Sequence, residues 1–170
     1  MTVKFGIIGC GKISCKFADA ISQVENAKLI AVSASNRDRA EAFAKQFEVQ
    51  IAYGSYDELI ADKNVDIIYI GLTNNLHYET AKKCIINGKN VLCEKPLTLS
   101  YEETKELYEL AKKHNVLFME GMWTRCLPAY QKAKSWVKDG KIGRVKLIEA
   151  DFCLNIAFDE NHRVYNKELG

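Results

Sequence analysis

The stretch that most constrains this chain is Val3-Lys4-Phe5-Gly6-Ile7-Ile8-Gly9-Cys10-Gly11-Lys12-Ile13-Ser14. An apolar run ends in glycines and passes at once into a helix-period pattern. Strand, tight turn and helix in that order suit the pyrophosphate of a dinucleotide. Gly9 lets the chain turn sharply out of the strand. Gly11 has no side chain, so the backbone can lie against a phosphate. Ser14 stands where G-x-G-x-x-G has its third glycine, and is still small enough for helix and strand to pack closely. The phosphates would meet the free N–H groups at the positive end of the helix. Gly9, Gly11, Lys12 and Ile13 are therefore the candidate phosphate-loop residues. The plainer alternative is a glycine-rich turn that binds nothing.

Downstream, strands and helices alternate. Ile13, Phe17, Ala20, Ile21 and Val24 recur at helical spacing and predict a helix from Lys12 to about Gln23. Residues 28–34 read as a second buried strand, 38–47 as a helix, and 51–53 as a short strand. Ser55 and Glu58 form a capping box that opens a short helix. Residues 66–72 make a third major strand, almost wholly apolar. A helix from about Leu76 to Ile86 is closed by Asn87-Gly88, where glycine can take the left-handed cap. Residues 90–93 form a strand, Ser100 and Glu103 a second capping box before a helix to about His114, and 116–119 another strand. Strands that are apolar throughout and alternate with helices predict an α/β fold, a Rossmann-type doubly wound parallel sheet covered on both faces, over residues 1–122.

The pattern then changes. Residues 128–139 read as a helix ended by Gly140. From Gly143 to Leu154 the chain alternates, with Lys146, Ile148, Ala150, Phe152 and Leu154 on one side, which predicts a strand of an antiparallel sheet. A lone strand with an apolar face is not stable by itself. Residues 123–170 are thus expected to hold the first strand of an incomplete α+β second domain.

Charge and cysteines exclude several classes of function. The net charge is only +2, and no basic run interleaves with aromatics, so nucleic acid is not expected as a partner. No apolar stretch approaches membrane-spanning length. The first ten residues lack the apolar segment of a signal peptide, so the mature chain is expected to start here. The six cysteines form no C-x-x-C and the three histidines are scattered, so no metal site is expected. Cys84 and Cys93 read as small core residues, and the whole as a reduced, cytoplasmic protein. Cys10 lies at a helix start, where a thiolate would be favoured, although a small residue in a tight loop is the simpler reading.

The second strand bears on cofactor choice. An NAD-binding domain of this kind places Asp or Glu about 20 residues past the glycine loop to hold the ribose 2′-hydroxyl. Here the strand ends Val32-Ser33-Ala34-Ser35-Asn36-Arg37, with no carboxylate at its tip. Ser35 can donate to a phosphate and Arg37 can pair with it bidentately. NADP(H) is therefore expected over NAD(H), with NAD(H) as the alternative. Ser35 as a helix cap with Arg37 as a surface charge is the plainer reading. Thr73-Asn74-Asn75-Leu76-His77 follows the third major strand, and Cys93-Glu94-Lys95-Pro96-Leu97 ends the next. Both fall at carboxyl ends of parallel strands, where ligands of such sheets bind. Thr73, Asn75 and His77 are placed to line a cofactor, and the Lys95–Pro96 bond is a candidate for cis.

The glycine loop, Thr-Asn-Asn-Leu-His and Cys-Glu-Lys-Pro-Leu, in this order, resemble the Gfo/Idh/MocA oxidoreductase family. The later Glu120-Gly121-Met122-Trp123-Thr124-Arg125-Cys126-Leu127-Pro128 is similar to its branch of dimeric dihydrodiol dehydrogenases and NADP-dependent xylose dehydrogenases. The resemblance implies that Gly9, Gly11 and Ile13 meet the pyrophosphate, and Ser35 and Arg37 the adenosine 2′-phosphate. It implies that Thr73, Asn75 and His77 border the cofactor, with His77 near the nicotinamide. Glu94 and Lys95 would reach the nicotinamide ribose, with Lys95 also at the substrate hydroxyl as the catalytic residue. Trp123 and Arg125 would border the nicotinamide and substrate pocket. Asn74 departs from the family's proline.

The resemblance further implies hydride transfer between nicotinamide and a sugar-like or diol substrate, in a homo-oligomer. Residues 123–170 would begin the substrate and oligomerisation domain, and the family's acid/base helix would fall beyond Gly170. His162 and Tyr165 lie outside its motif. The alternative is a non-catalytic NADP-binding module or sensor.

Overall fold

In the computed structural model, which describes residues 2–162 and 164–167, the strands form one six-stranded parallel sheet of order β3-β2-β1-β4-β5-β6. The strands are β1 (Val3–Ile8), β2 (Ala27–Ser33), β3 (Ile51–Tyr53), β4 (Ile67–Ile70), β5 (Asn90–Glu94) and β6 (Phe118–Gly121). Helices α1 (Lys12–Ile21), α2 (Arg37–Gln46), α3 (Tyr56–Ala61), α4 (His77–Ile86) and α5 (Tyr101–His114) connect them, and α6 (Pro128–Lys138) follows. The strand order reverses between β1 and β4, so the crevice at the carboxyl ends of these two strands is the topological switch point.

The apolar runs read in the sequence are buried on both faces because their residues alternate. Ile7, Val32 and Tyr69 face α1 and α2, packed with Ala18, Phe43 and Ala44. Ile8, Ile68, Ile70, Val91 and Cys93 face α3, α4 and α5, with Leu59, Ala81, Cys84, Ile85 and Leu107. Burial raises the thiols of Cys84 and Cys93 well above their usual range, so both act as core residues.

The helix starts follow their caps. The side chains of Ser55 and Ser100 accept from the N–H groups of Glu58 and Glu103. Those glutamates reach back to the N–H groups of Gly54 and Leu99 at 3.1 Å each. Helix α2 is capped by Asn36, which accepts from Arg39 N–H at 3.0 Å, so Ser35 is not the cap.

The expected strand over 143–154 does not form. Residues 144–158 carry no regular secondary structure, and nearly all are exposed. A strand needs a neighbour to take its N–H and C=O groups, and no other described segment offers one there. Helix α6 contributes no buried residue, with Trp136 and Tyr130 both exposed. Among the described residues, no helix is long and apolar enough to cross a membrane.

Candidate functional site

Because all six strands run parallel, their carboxyl ends share one edge, and the loops there carry the site. Beyond β1 the chain turns at Gly9, whose φ of +94° is left-handed. The turn is pinned by Gly9 N–H donating to Ser33 O at 2.9 Å and by the Ser14 hydroxyl donating to Gly9 O. A Cβ on Gly9 would lie 2.7 Å from Leu72 Cδ2 and 2.9 Å from Gly71 O, so the fold itself demands glycine. Gly11 differs. It is the N-cap of α1 with ordinary extended backbone (φ −96°, ψ 179°), and a Cβ there would come no nearer than 3.8 Å to Gly71 O. Among the described residues, nothing requires glycine at 11.

Helix α1 begins with no side-chain cap and no acidic residue in its first turn. Its leading N–H groups are left for an external acceptor, at the end of the helix where the dipole favours negative charge. Lys12 and Ile13 are exposed on that first turn. Cys10 is not the activated thiol its position suggested. Its sulfur turns back to Ser33 O at 3.7 Å, and burial raises the thiol to about 11 despite the nearby Arg39 charge.

At the tip of β2, Ser35 is exposed and its hydroxyl lies 3.5 Å from Arg39 Nη1, at the outer limit of a hydrogen bond. Arg37 instead points along α2 to Glu41 at 3.7 Å. That pair is exposed on both sides and worth little, so it does not anchor the guanidinium. Arg39 was missed in the sequence. Its signal is the i,i+4 spacing from Ser35, which puts both on one side of the α2 start.

Beyond β4, the Thr73 hydroxyl donates to Asn75 Oδ1 at 2.7 Å within a 3-10 turn over Asn74–Leu76. His77 departs from expectation. It has no exposed surface, so it does not border a ligand directly. Its Nδ1 lies 2.8 Å from Pro96 O and its Nε2 3.2 Å from Leu72 O. The ring therefore joins the loop after β4 to the loop after β5, where the Lys95–Pro96 peptide bond is cis. His77→Leu removes the ring that bridges the two loops; a neutral imidazole has one N–H, so one of the two carbonyls loses its donor. It is expected to destabilise the chain by about 1–3 kcal/mol and to lower the melting midpoint by roughly 3–9 °C. An unshifted midpoint in thermal or denaturant melts would refute this role.

At the end of β5, Glu94 is half-buried and Lys95 exposed. Glu94 Oε1 accepts from the Tyr69 hydroxyl at 2.9 Å and Oε2 from Lys95 N–H at 3.3 Å. Among the described residues, no hydrogen bond or ion pair holds the Lys95 ammonium. Trp123 and Arg125 lie on an exposed 3-10 turn beyond β6, whose last residue, Gly121, is the register partner of Glu94. The β2 tip, phosphate loop, β4 loop, Glu94–Lys95 and Trp123 thus follow one another along one rim.

Residues 3–122 match the family described as GFO_IDH_MocA, an oxidoreductase family with an NAD-binding Rossmann fold. The chain is 38% identical over 172 aligned residues to trans-1,2-dihydrobenzene-1,2-diol dehydrogenase of Xenopus tropicalis, covering 100% of this chain and 52% of that protein. The corresponding Bos taurus protein is 34% identical, covering 92% of this chain and 47% of its own length. The chain thus spans about half the length of the curated relatives it matches. Among solved structures, KijD10, a 3-ketoreductase from Actinomadura kijaniata in complex with NADP, superposes with a TM-score of 0.78 at 27% identity, over 84% of this chain and 46% of that one. An NAD binding oxidoreductase from Klebsiella pneumoniae gives 0.79 at 30% identity, over 84% and 40%. With the doubly wound sheet, the uncapped α1 start and the residues gathered at the switch-point edge, these matches establish that the chain belongs to the Gfo/Idh/MocA oxidoreductase family and carries its NAD(P)-binding Rossmann domain.

Proposed function

We propose that this chain is the NADP(H)-binding part of an oxidoreductase that moves a hydride between nicotinamide and the hydroxyl- or carbonyl-bearing carbon of a sugar-like or diol substrate. The observation that carries the reading is the start of α1. Its N–H groups have no side-chain cap, and Gly11 beside them is a glycine the fold does not need. Both fit a pyrophosphate laid against the backbone. A nicotinamide ring, when bound, supplies or accepts the hydride.

The residues divide the remaining work. Gly9, Gly11, Lys12 and Ile13 hold the phosphates. Ser35 and Arg39 hold the adenosine 2′-phosphate, and Arg37 joins them by leaving its exposed pairing with Glu41. Thr73 and Asn75 line the middle of the rim, and His77 fixes the loops on either side from below. Glu94 accepts hydrogen bonds from the nicotinamide-side ribose. Lys95 donates to the substrate oxygen and favours its alkoxide, while Trp123 and Arg125 border the pocket. Residues 123–170 begin a second domain, for substrate and self-association. The names of the relatives, a diol dehydrogenase and a ketoreductase, support the substrate class. All six cysteines are free, which supports a reducing, cytoplasmic setting.

The reading is tested by titrating this chain with NADPH and with NADH. NADPH is expected to bind at least about tenfold more tightly, because one charge-assisted phosphate contact is worth that much. Arg39→Ala should remove most of the difference and leave NADH affinity unchanged. Equal or tighter binding of NADH by the unsubstituted chain would overturn the NADP(H) assignment, and binding of neither would overturn the dinucleotide site.

A further inference from the structure

We propose that Tyr69 is a positioning residue that fixes the rotamer of Glu94 for the nicotinamide-side ribose, an inference that rests on the dinucleotide reading above. Tyr69 stands in β4 among isoleucines, in a core where phenylalanine would pack equally well. It is 2% exposed. Its ring stacks on Phe17 with centroids 3.8 Å apart and planes 4° apart, and Phe17 meets Phe5 edge-on. The stack locates the ring but makes no use of the hydroxyl. Among the described residues, that hydroxyl has one hydrogen-bond partner, Glu94 Oε1 on the neighbouring strand at 2.9 Å.

Register explains the reach. Tyr69 pairs with Leu92, and Glu94 lies two residues further along the same face of β5. Gly71 is two residues beyond Tyr69 on that face, and a Cβ there would overlap Ser14 Oγ and lie 3.0 Å from Tyr69 Cε1. Gly121, opposite Glu94 in β6, would bring a Cβ to 3.3 Å from Glu94 Oε1. Two glycines thus leave open the path along which the phenol meets the carboxylate at the sheet's edge.

The chemistry fits a holder rather than a reactant. Burial, reinforced by the charge of Glu94 and the hydrogen bond to it, pushes the Tyr69 phenol far above its usual range. It therefore stays a donor. Among the described residues no cation pairs with Glu94, whose contacts are the phenol and the Lys95 N–H. A carboxylate held by one strong and one long donor keeps lone pairs for an incoming diol. A ribose, with two adjacent hydroxyls, matches that need.

The test compares Tyr69→Phe, Glu94→Ala and the double variant of this chain. Isothermal titration is run with NADPH and with adenosine 2′,5′-bisphosphate, which lacks the nicotinamide-side ribose. Tyr69→Phe keeps the stack and is expected to weaken NADPH about fivefold to tenfold, while the bisphosphate changes by less than about twofold. In the Glu94→Ala background, Tyr69→Phe should add no further loss, because the two act as a unit. Equal weakening of both ligands, persistence of the Tyr69→Phe effect without Glu94, or unchanged NADPH binding would each overturn the proposal. Failure of the unsubstituted chain to bind either ligand would instead overturn the dinucleotide reading, and this inference with it.

Discussion

Gly11→Ala is expected to leave the chain folded and to weaken NADPH by at least about a hundredfold, whereas Gly9→Ala is expected to unfold the turn itself. The contrast follows from what each missing Cβ would meet. At Gly11 the backbone is extended, and the nearest atom to a built Cβ is Gly71 O at 3.8 Å, an ordinary contact. Alanine is a poorer N-cap than glycine, so the cost to stability is about 0.5–1 kcal/mol. A phosphate drawn against the same N–H groups has no such room. A methyl between phosphate and backbone removes several charge-assisted hydrogen bonds together, each worth about 1.5–3 kcal/mol. At Gly9 the φ of +94° is strained for alanine, and the Cβ would press on Leu72 Cδ2 at 2.7 Å and Gly71 O at 2.9 Å. Strain and overlap with backbone together cost about 3 kcal/mol or more. Thermal melts paired with NADPH titration check both. A Gly11→Ala chain that keeps wild-type affinity would show that no phosphate lies against that turn.

This pair also shows what the sequence could and could not disclose. The role of Gly9 was legible because strand, turn and helix fix the local backbone, and only glycine serves a left-handed turn there. The sheet was legible for a related reason. Residues 28–34, 66–72 and 90–93 are apolar through their centres, as strands buried on both faces must be, with Lys28, Ser33, Asp66 and Asn90 at or near their ends, and Ser55 and Ser100 announced their helices. The failures were of side-chain placement and of missing neighbours. His77 sits in a motif beside a ligand edge, yet its burial against Leu72 O and Pro96 O depends on two loops far apart in sequence. Arg39 rather than Arg37 turns to Ser35 because Asn36 is the cap and sets the phase of α2. The alternation over 143–154 was real, but alternation states which face is apolar and supplies no neighbouring strand.

Lys95→Met is expected to reduce turnover about 100- to 1,000-fold while changing the NADPH dissociation constant by less than about twofold, the scale of losing one donor at a developing oxyanion. The argument is one of differential stabilisation. A neutral hydroxyl or carbonyl gains little from a nearby ammonium, whereas an alkoxide at about 3 Å gains several kcal/mol at the intermediate dielectric of a partly open site. Lys95 is suited to this part because its ammonium has no carboxylate partner among the described residues. Its own peptide N–H is tied to Glu94 and the carbonyl of the next residue, Pro96, lies against His77, so the stem is fixed at the base and free at the tip. Methionine keeps the stem length and removes the charge. Arginine restores the charge with the wrong shape and should recover only part of the rate. The measurement is NADPH oxidation with sugar or diketone substrates by a protein that carries this domain together with the half its relatives possess. Unchanged turnover in Lys95→Met, or an equal loss in cofactor affinity, would remove Lys95 from the chemical step and leave it a cofactor ligand or a surface charge.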